Sequence, residues 1–419
     1  MPANLDGQIS PRSSRGLDWL NFFLADTQTG VGPFLAIYLA STYHWDDQRV
    51  GIALSVAAFA GVLAQLPAGA LVDYSRSKRA VIAIGVGAVV TGALLLAFYP
   101  SFTAVIFAQL LLGGFGALFA PSLNAISLGL VGSRLLGRRV GRNQAFNSAG
   151  NVSAAVLMGM IGYLISSRAI FLAAVVLAVP TLISLAAIRP GEIDYERSRA
   201  SKPDGGAPHV TGLGVLLKDW KLAVFCICAF LFHFANAAML PQLGEMLARG
   251  RGRQSSLFMG ACIIVTQITI SIIAVWVSRK AASWGRKPLL LLGFGVLPIR
   301  GVLYTLTAYT PFLVGIQVLD GIANAIYLVV GVLVIADLAR GTGRFNLMLG
   351  ALGVAQGLGA AARTTFAGTI VHHYGYRAGF LSLAGVAAIA LLLIAVAVPE
   401  TRSDKEDKTG QPDPVPAMA

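Results

Sequence analysis

The chain has 419 residues, 56% of them hydrophobic and only 12% charged, with mean hydropathy +0.72 and a formal net charge of +13. Soluble domains carry about 25% charged residues, so this composition cannot cover a water-facing surface and excludes a soluble enzyme or nucleic-acid-binding domain. It suits a chain that turns apolar faces to lipid, with 47 glycines that let helices approach closely.

Twelve apolar stretches follow one another, each near the roughly 20 residues that cross a bilayer. Their runs do not alternate apolar and polar residues as barrel strands do, so each is predicted to be a helix. The first, 18–41, holds Asp26 and Gln28 about a third of the way in. It is too long and too polar for a cleaved leader. The second is 50–72, and GALVDYSRSKR covers 69–79 at its end. The third is 80–99. The fourth, 102–131, carries Gln109 and Asn124. GRRVGRNQAFN at 137–147 leads into the fifth, 143–165, with Asn147 and Asn151. The sixth is 169–188. A linker at 189–220 follows, rich in Pro, Gly and charge, and its composition predicts disorder.

The seventh span, 221–244, carries Cys226, Cys228, His233 and Asn236. The eighth, 255–277, carries Cys262 and Gln267, and SRKAASWGRKP covers 278–288 after it. The cysteines read as buried apolar residues. The spacing of Cys226 and Cys228 turns them to different helix faces, which argues against a metal pair. The ninth span, 288–308, contains Arg300, and the tenth, 311–336, contains Asp320 and Asn324. Counting inward puts Arg300 and Asp320 near the bilayer midplane, where they are predicted to form a buried ion pair. RGTGRFN at 340–346 precedes the eleventh span, 346–372, with Gln356 and Arg363. The twelfth is 378–399, and a polar tail, expected to be disordered, occupies 400–419.

Positive charge fixes an orientation. Placing both termini and the linker in the cytoplasm puts 24 of the 32 Lys and Arg residues on that side and six in outer loops. The same charge attracts anionic lipid heads. The stretch at 69–79 is echoed at 278–288, and that at 137–147 at 340–346. These repeats divide the chain into a cytoplasmic segment 1–17, a six-helix bundle 18–188, the linker 189–220, a second six-helix bundle 221–399 and the tail.

On these residues the chain resembles the major facilitator superfamily. That family's turn after the second helix reads G-x-L-x-D-R-x-G-R-K/R, and Gly69, Leu71, Asp73, Lys78 and Arg79 match it. Tyr74, Arg76 and Ser77 depart from it. The second copy has Ala282 in place of the acid and keeps Gly285, Arg286 and Lys287. Pro399-Glu400-Thr401 after the last helix is also common in the family. The resemblance implies an all-α integral membrane fold of two pseudo-symmetric six-helix bundles that rock about a central cavity. It also implies a cytoplasmic gate built from Gly69, Asp73, Arg76, Lys78, Arg79, Gly285, Arg286 and Lys287. A carboxylate at Asp73 is suited to accept from N–H groups at the start of a facing helix. Arg76, Lys78 and Arg79 have the alternative reading of setting topology alone.

Polar groups at membrane depth are the substrate or proton-coupling candidates: Asp26, Gln28, Gln109, Asn124, Asn151, His233, Asn236, Asp320, Asn324 and Arg363. Each has a packing alternative, an interhelical hydrogen bond or, for Arg363, the membrane interface. Gln109 stands where many proton-coupled members have Arg, and the fifth span lacks the proline of drug antiporters. No Walker-type phosphate loop, nucleophile–base set or metal spacing appears, so no enzyme activity, cofactor or metal is expected. The expectation is a monomeric secondary active transporter in a plasma membrane, bacterial inner membrane in type. It meets a small-molecule substrate, protons and membrane lipid, and no nucleic acid. The expected activity is proton-coupled efflux. Metabolite or siderophore uptake, a non-transporting receptor and a lipid flippase are the alternatives. Reporter fusions inserted within 189–218 are expected to read as cytoplasmic; an external reading overturns the orientation.

Overall fold

Capping residues set where several helices begin. Asp46, Ser77, Ser101 and Ser166 each accept from the backbone N–H three residues on, at 2.8 to 3.3 Å. The computed structural model describes residues 9–29, 35, 38, 39, 42–201, 219–251 and 254–402, and among them every regular element is helical. In the first half these are α1 (Pro11–Thr29), α2 (Asp47–Tyr74), α3 (Lys78–Phe98), α4 (Phe102–Gly116), α5 (Phe119–Leu164) and α6 (Ser167–Ala187). In the second they are α7 (Trp220–Arg251), α8 (Gln254–Trp284), α9 (Lys287–Leu303), α10 (Thr310–Gly315), α11 (Gln317–Leu338) and α12 (Phe345–Ala397).

Among the described residues the predicted spans map onto these elements with three differences, the first span being described as helix over 18–29 while 30–34, 36, 37, 40 and 41 lie outside the described residues. The fourth runs through α4 into α5 as far as Gly132, where a φ of 69° turns the chain, and the rest of α5 is the fifth. The eleventh and twelfth are the two parts of α12 on either side of Gly375, at φ 79°. Glycine takes this conformation without a Cβ clash, so one residue does the work of a loop. The tenth span is α10 followed by α11. Among the described residues the result is an all-helical architecture compatible with the twelve-helix, two-bundle fold that the sequence implied.

Each bundle has its own apolar core. Leu17, Leu20 and Leu24 pack with Ile82, Phe119 and Ile126 in the first. In the second, Phe232 stacks on Tyr327 at 4.7 Å and leans on Phe294 at 4.9 Å. Between the bundles α2 packs along α12, and α5 along α8. These approaches need glycine. A methyl group at Gly69 would collide with the carbonyl oxygen of Asn346, and one at Gly141 with the Ser278 side chain.

At the end that carries the linker, helix termini meet charges of the complementary sign. Asp73 Oδ1 accepts from the Asn346 backbone N–H at 3.2 Å and from its Nδ2 at 2.8 Å, and Oδ2 accepts from the Leu347 N–H at 2.8 Å. The first turn of α12 is thereby capped by a residue of the other bundle. Glu400 does the same for α9, accepting from the N–H groups of Arg286 and Lys287 at 2.9 Å. Burial pushes Glu400 upward, but the N–H groups of Arg286, Arg402 and Lys287 and the Arg286 charge outweigh it and hold the carboxyl below its usual range. The positive φ of Gly285, 90°, leaves room for that carboxylate. Cations serve the opposite termini. Lys78 Nζ donates to the Val72 and Ser75 carbonyls at the end of α2. Arg79 Nε donates to Leu185 in α6, and Arg286 Nη1 to Ala281 in α8. Arg76 is exposed.

Two expectations of disorder are corrected here, at the start of the linker and at the start of the tail. The first part of the 189–220 linker is ordered. Pro190–Glu192 and Arg197–Arg199 form 3-10 turns, and the segment straps the two bundles together. The Asp194 N–H donates to the Gly129 carbonyl at 3.2 Å. The Ser198 carbonyl accepts from Asn346 Nδ2 at 3.1 Å and the Ala200 carbonyl from the Gly341 N–H at 2.7 Å. Composition suggested disorder because it does not reveal backbone partners. Residues 202–218 lie outside the described residues. The 1–17 segment is helical from Pro11, and the Ser10 N–H and hydroxyl donate to Glu192 at 3.2 and 3.1 Å. Glu400 at the start of the 400–419 tail is held as described, while 403–419 lie outside the described residues.

Charge-assisted hydrogen bonds contribute about 1.5–3 kcal/mol each. Asp73→Asn keeps the shape but turns an N–H donor toward the Leu347 N–H. It is expected to shift the contact between α2 and α12 roughly tenfold or more toward separation. Spin-label distances between positions 76 and 340 measure this; an unchanged distribution would count against the cap.

Candidate functional site

Polar side chains that point inward from both bundles need hydrogen bonds that lipid cannot provide. They collect around a cavity of about 600 Å³ between the bundles. α1 supplies Asn21 and α2 supplies Gln65. α5 supplies Asn124, Asn143, Gln144, Asn147 and Asn151. From the second bundle come Thr266 and Gln267 of α8, Asp320, Asn324 and Tyr327 of α11, and Gln356 of α12. Ten of these are carboxamides, and Asp320 is the charged group among the described lining residues.

Asp320 is the rim of a larger network. Arg300 of α9, fully buried, donates from Nη1 to Asp320 Oδ1 at 2.7 Å and to Asn236 Oδ1 at 2.6 Å. Its Nε donates to the Tyr304 hydroxyl at 2.9 Å and its Nη2 to Gln317 Oε1 at 3.2 Å. Asp320 also accepts from Asn324 Nδ2 at 2.9 Å and from the Thr266 hydroxyl at 3.1 Å. A guanidinium buried this deeply needs both a counter-charge and partners for its remaining donors, and the network provides them.

A second buried cluster lies in the first bundle toward the linker end. Asp18 of α1, 2% exposed, accepts from Arg139 and Arg142 of α5. Arg139 Nε passes on to Asn143 Oδ1 at 2.7 Å, and Asn143 Nδ2 donates to the Ser127 hydroxyl at 2.7 Å. Asn143 therefore connects the cavity wall to this cluster.

Of the sequence candidates, Asn124, Asn151, Asp320 and Asn324 line the cavity. Asn236 stands behind the wall and bonds Arg300 and Asn324. Gln109 is away from the cavity, clamping α4 to α2 through the Ala53 carbonyl at 3.1 Å. His233 also lies off the described wall: its Nδ1 is 3.1 Å from the Ala229 carbonyl, and its ring meets Tyr327 edge-on. The side chains of Asp26, Gln28 and Arg363 lie outside those described.

Sequence reading missed Asn21, Gln65, Gln144 and Thr266 on the wall, Tyr304 and Gln317 in the network, and the whole Asp18 cluster. Spacing held part of the signal. Tyr304 is four residues after Arg300, and Gln317 and Asn324 flank Asp320 by three and four, so each shares a helix face with its partner. Arg139 and Arg142 were masked by their place in a basic segment.

A family model described as Major Facilitator Superfamily matches residues 18–299 and 281–418. Two uncharacterized MFS-type transporters of Mycobacterium tuberculosis, from strains CDC 1551 / Oshkosh and ATCC 25618 / H37Rv, are each 40% identical over 395 residues, which is 94% of this chain and 94% of theirs. The crystal structure of the human organic anion transporter MFSD10 (TETRAN) superposes with a TM-score of 0.69 at 17% identity, covering 92% of this chain and all of that one. At that identity the likeness is one of fold.

Breaking a buried ion pair by removing one partner costs about 3–5 kcal/mol, whereas replacing both by apolar groups is often near neutral. Arg300→Met is therefore expected to destabilise the purified protein strongly, and R300M/D320L to recover most of the loss. Equal melting temperatures for the two variants would show that the pair does not act as a unit.

Proposed function

The chain belongs to the major facilitator superfamily and is a multi-pass membrane transporter, and on that premise we propose that it moves a small organic solute by alternating access, exchanging it for protons in the direction of efflux. The observation that carries this reading is the polar cavity between bundles that are joined at the linker end. There Asp73 caps α12 and the 190–201 strap touches both bundles. With the linker end in the cytoplasm of a plasma membrane, as the charge bias favours, this arrangement faces outward. The closing contacts are a small set of hydrogen bonds worth about 1.5–3 kcal/mol each where charged. Solute binding can therefore shift the balance between the two states.

Proton exchange is supported by the position of Asp320. It reaches the cavity wall and bonds Arg300. A proton arriving on it removes the counter-charge of a fully buried guanidinium. That state is costly unless the surrounding helices rearrange, so protonation and conformation are linked. The outward-facing state is the one in which an exchanger takes its proton from outside. The gate role of Gly69, Asp73, Lys78, Arg79, Gly285, Arg286 and Lys287 belongs to the same reading, because these residues hold the helix termini that meet when the linker end closes.

Acidification is expected to shift the wild-type protein between its two arrangements, read as spin-label distances across the linker end in nanodiscs. Asp320→Asn is expected to flatten that pH response. A variant that keeps the full response removes Asp320 from the coupling role.

A further inference from the structure

The hydrogen-bonding state of the cavity wall indicates the kind of solute it holds. Four of its carboxamides, Gln65, Asn124, Gln144 and Gln267, make no side-chain hydrogen bond among the described residues, and Gln267 Oε1 is buried without a partner. They come from α2, α5 and α8, so they face the same space from both bundles. Each offers one acceptor oxygen and two donor hydrogens. Leaving a group such as Gln267 Oε1 unpartnered away from water is unfavourable, and the other three are half-buried on the wall with donors and acceptors open to a solute.

The charges at the wall are already committed. Asp320 accepts from Arg300, Asn324 and Thr266. Arg139, behind Asn143, is paired with Asp18. A charged solute brought into this space needs an opposite charge to offset its lost hydration, and the described wall has none uncommitted. A hydroxyl group is both donor and acceptor, and neighbouring hydroxyls meet the two ends of a carboxamide together.

We propose that the cavity binds an uncharged solute rich in hydroxyl groups, of polyol or sugar chemistry, held by Gln65, Asn124, Gln144 and Gln267. This rests on the transporter reading above and narrows it. Its size limit is set by the cavity of about 600 Å³, within the range of pockets that enclose drug-sized molecules.

The test uses the full-length protein, purified for thermal shifts and reconstituted for flux of labelled solute. Glucitol, glucose and sucrose are the hydroxylated probes; succinate, benzenesulfonate and tetraethylammonium are the charged ones. At least one hydroxylated probe is expected to raise the melting temperature by mass action and to cross the vesicle membrane, with the ions doing neither. Gln144→Leu and Gln267→Leu are expected to weaken that binding roughly ten- to hundredfold, because a ligand hydroxyl is left unpaired, while the ligand-free melting temperature holds. If ions stabilise and cross while hydroxylated probes do not, the solute class is wrong and the transporter reading stands. If both Leu variants bind the hydroxylated probe as well as wild type, the site is wrong. If no probe of either kind stabilises or crosses, the transporter reading falls and takes this one with it.

Discussion

A helix cannot satisfy the N–H groups of its own first turn, and this chain uses that deficit to join its bundles. Asp73 belongs to α2, yet the N–H groups it accepts belong to α12. Gly69, one turn earlier on α2, lets the two backbones come close enough for the contact. The same device recurs with Glu400 on α9, where Gly285 again makes the room. The second copy of the turn motif has Ala282 where the first has Asp73. Its carboxylate comes instead from the end of α12. That carboxylate serves α9, the helix directly after this copy of the motif, whereas Asp73 serves α12 of the opposite bundle.

The cavity follows a different rule. The cations near it, Arg300 and Arg139, are held behind the wall by Asp320 and Asp18, and apart from Asp320 the polar wall is mostly carboxamides. This separates the tasks of holding the bundles in shape and of meeting a solute. The residue that belongs to both is Asp320, which lines the cavity and also holds the buried Arg300. Asn143 is the equivalent link in the first bundle, since it touches both the wall and Arg139.

Much of the architecture was legible in the sequence because length and hydropathy suffice to recognise bilayer crossings. Counting inward from span ends put Arg300 and Asp320 at one depth, and they are in contact. The turns at Gly132 and Gly375 were not legible, because one glycine among many in a helical run gives no local sign of its φ. The wall was read only in part. Asn124 and Asn324 stand out as amides in apolar spans, whereas Gln144 and Asn143 sit in a basic stretch that drew attention to its charge. Asp18 was overlooked at the very start of a span, where a carboxylate looks solvent-exposed until Arg139 is seen folded onto it. His233 attracted notice by its chemistry, but its neighbours are a backbone carbonyl and a ring.

The strap at 190–201 grips Gly129 and Gly341 through main-chain atoms, with Asp194 and Ala200 giving an N–H and a carbonyl respectively. Backbone groups are common to nearly all residue types, proline's missing N–H being the exception. These two main-chain links therefore do not depend on the chemistry of the side chains at 194 and 200. A clasp made this way leaves no signature in the residue types of the segment, which is why composition alone pointed to disorder there.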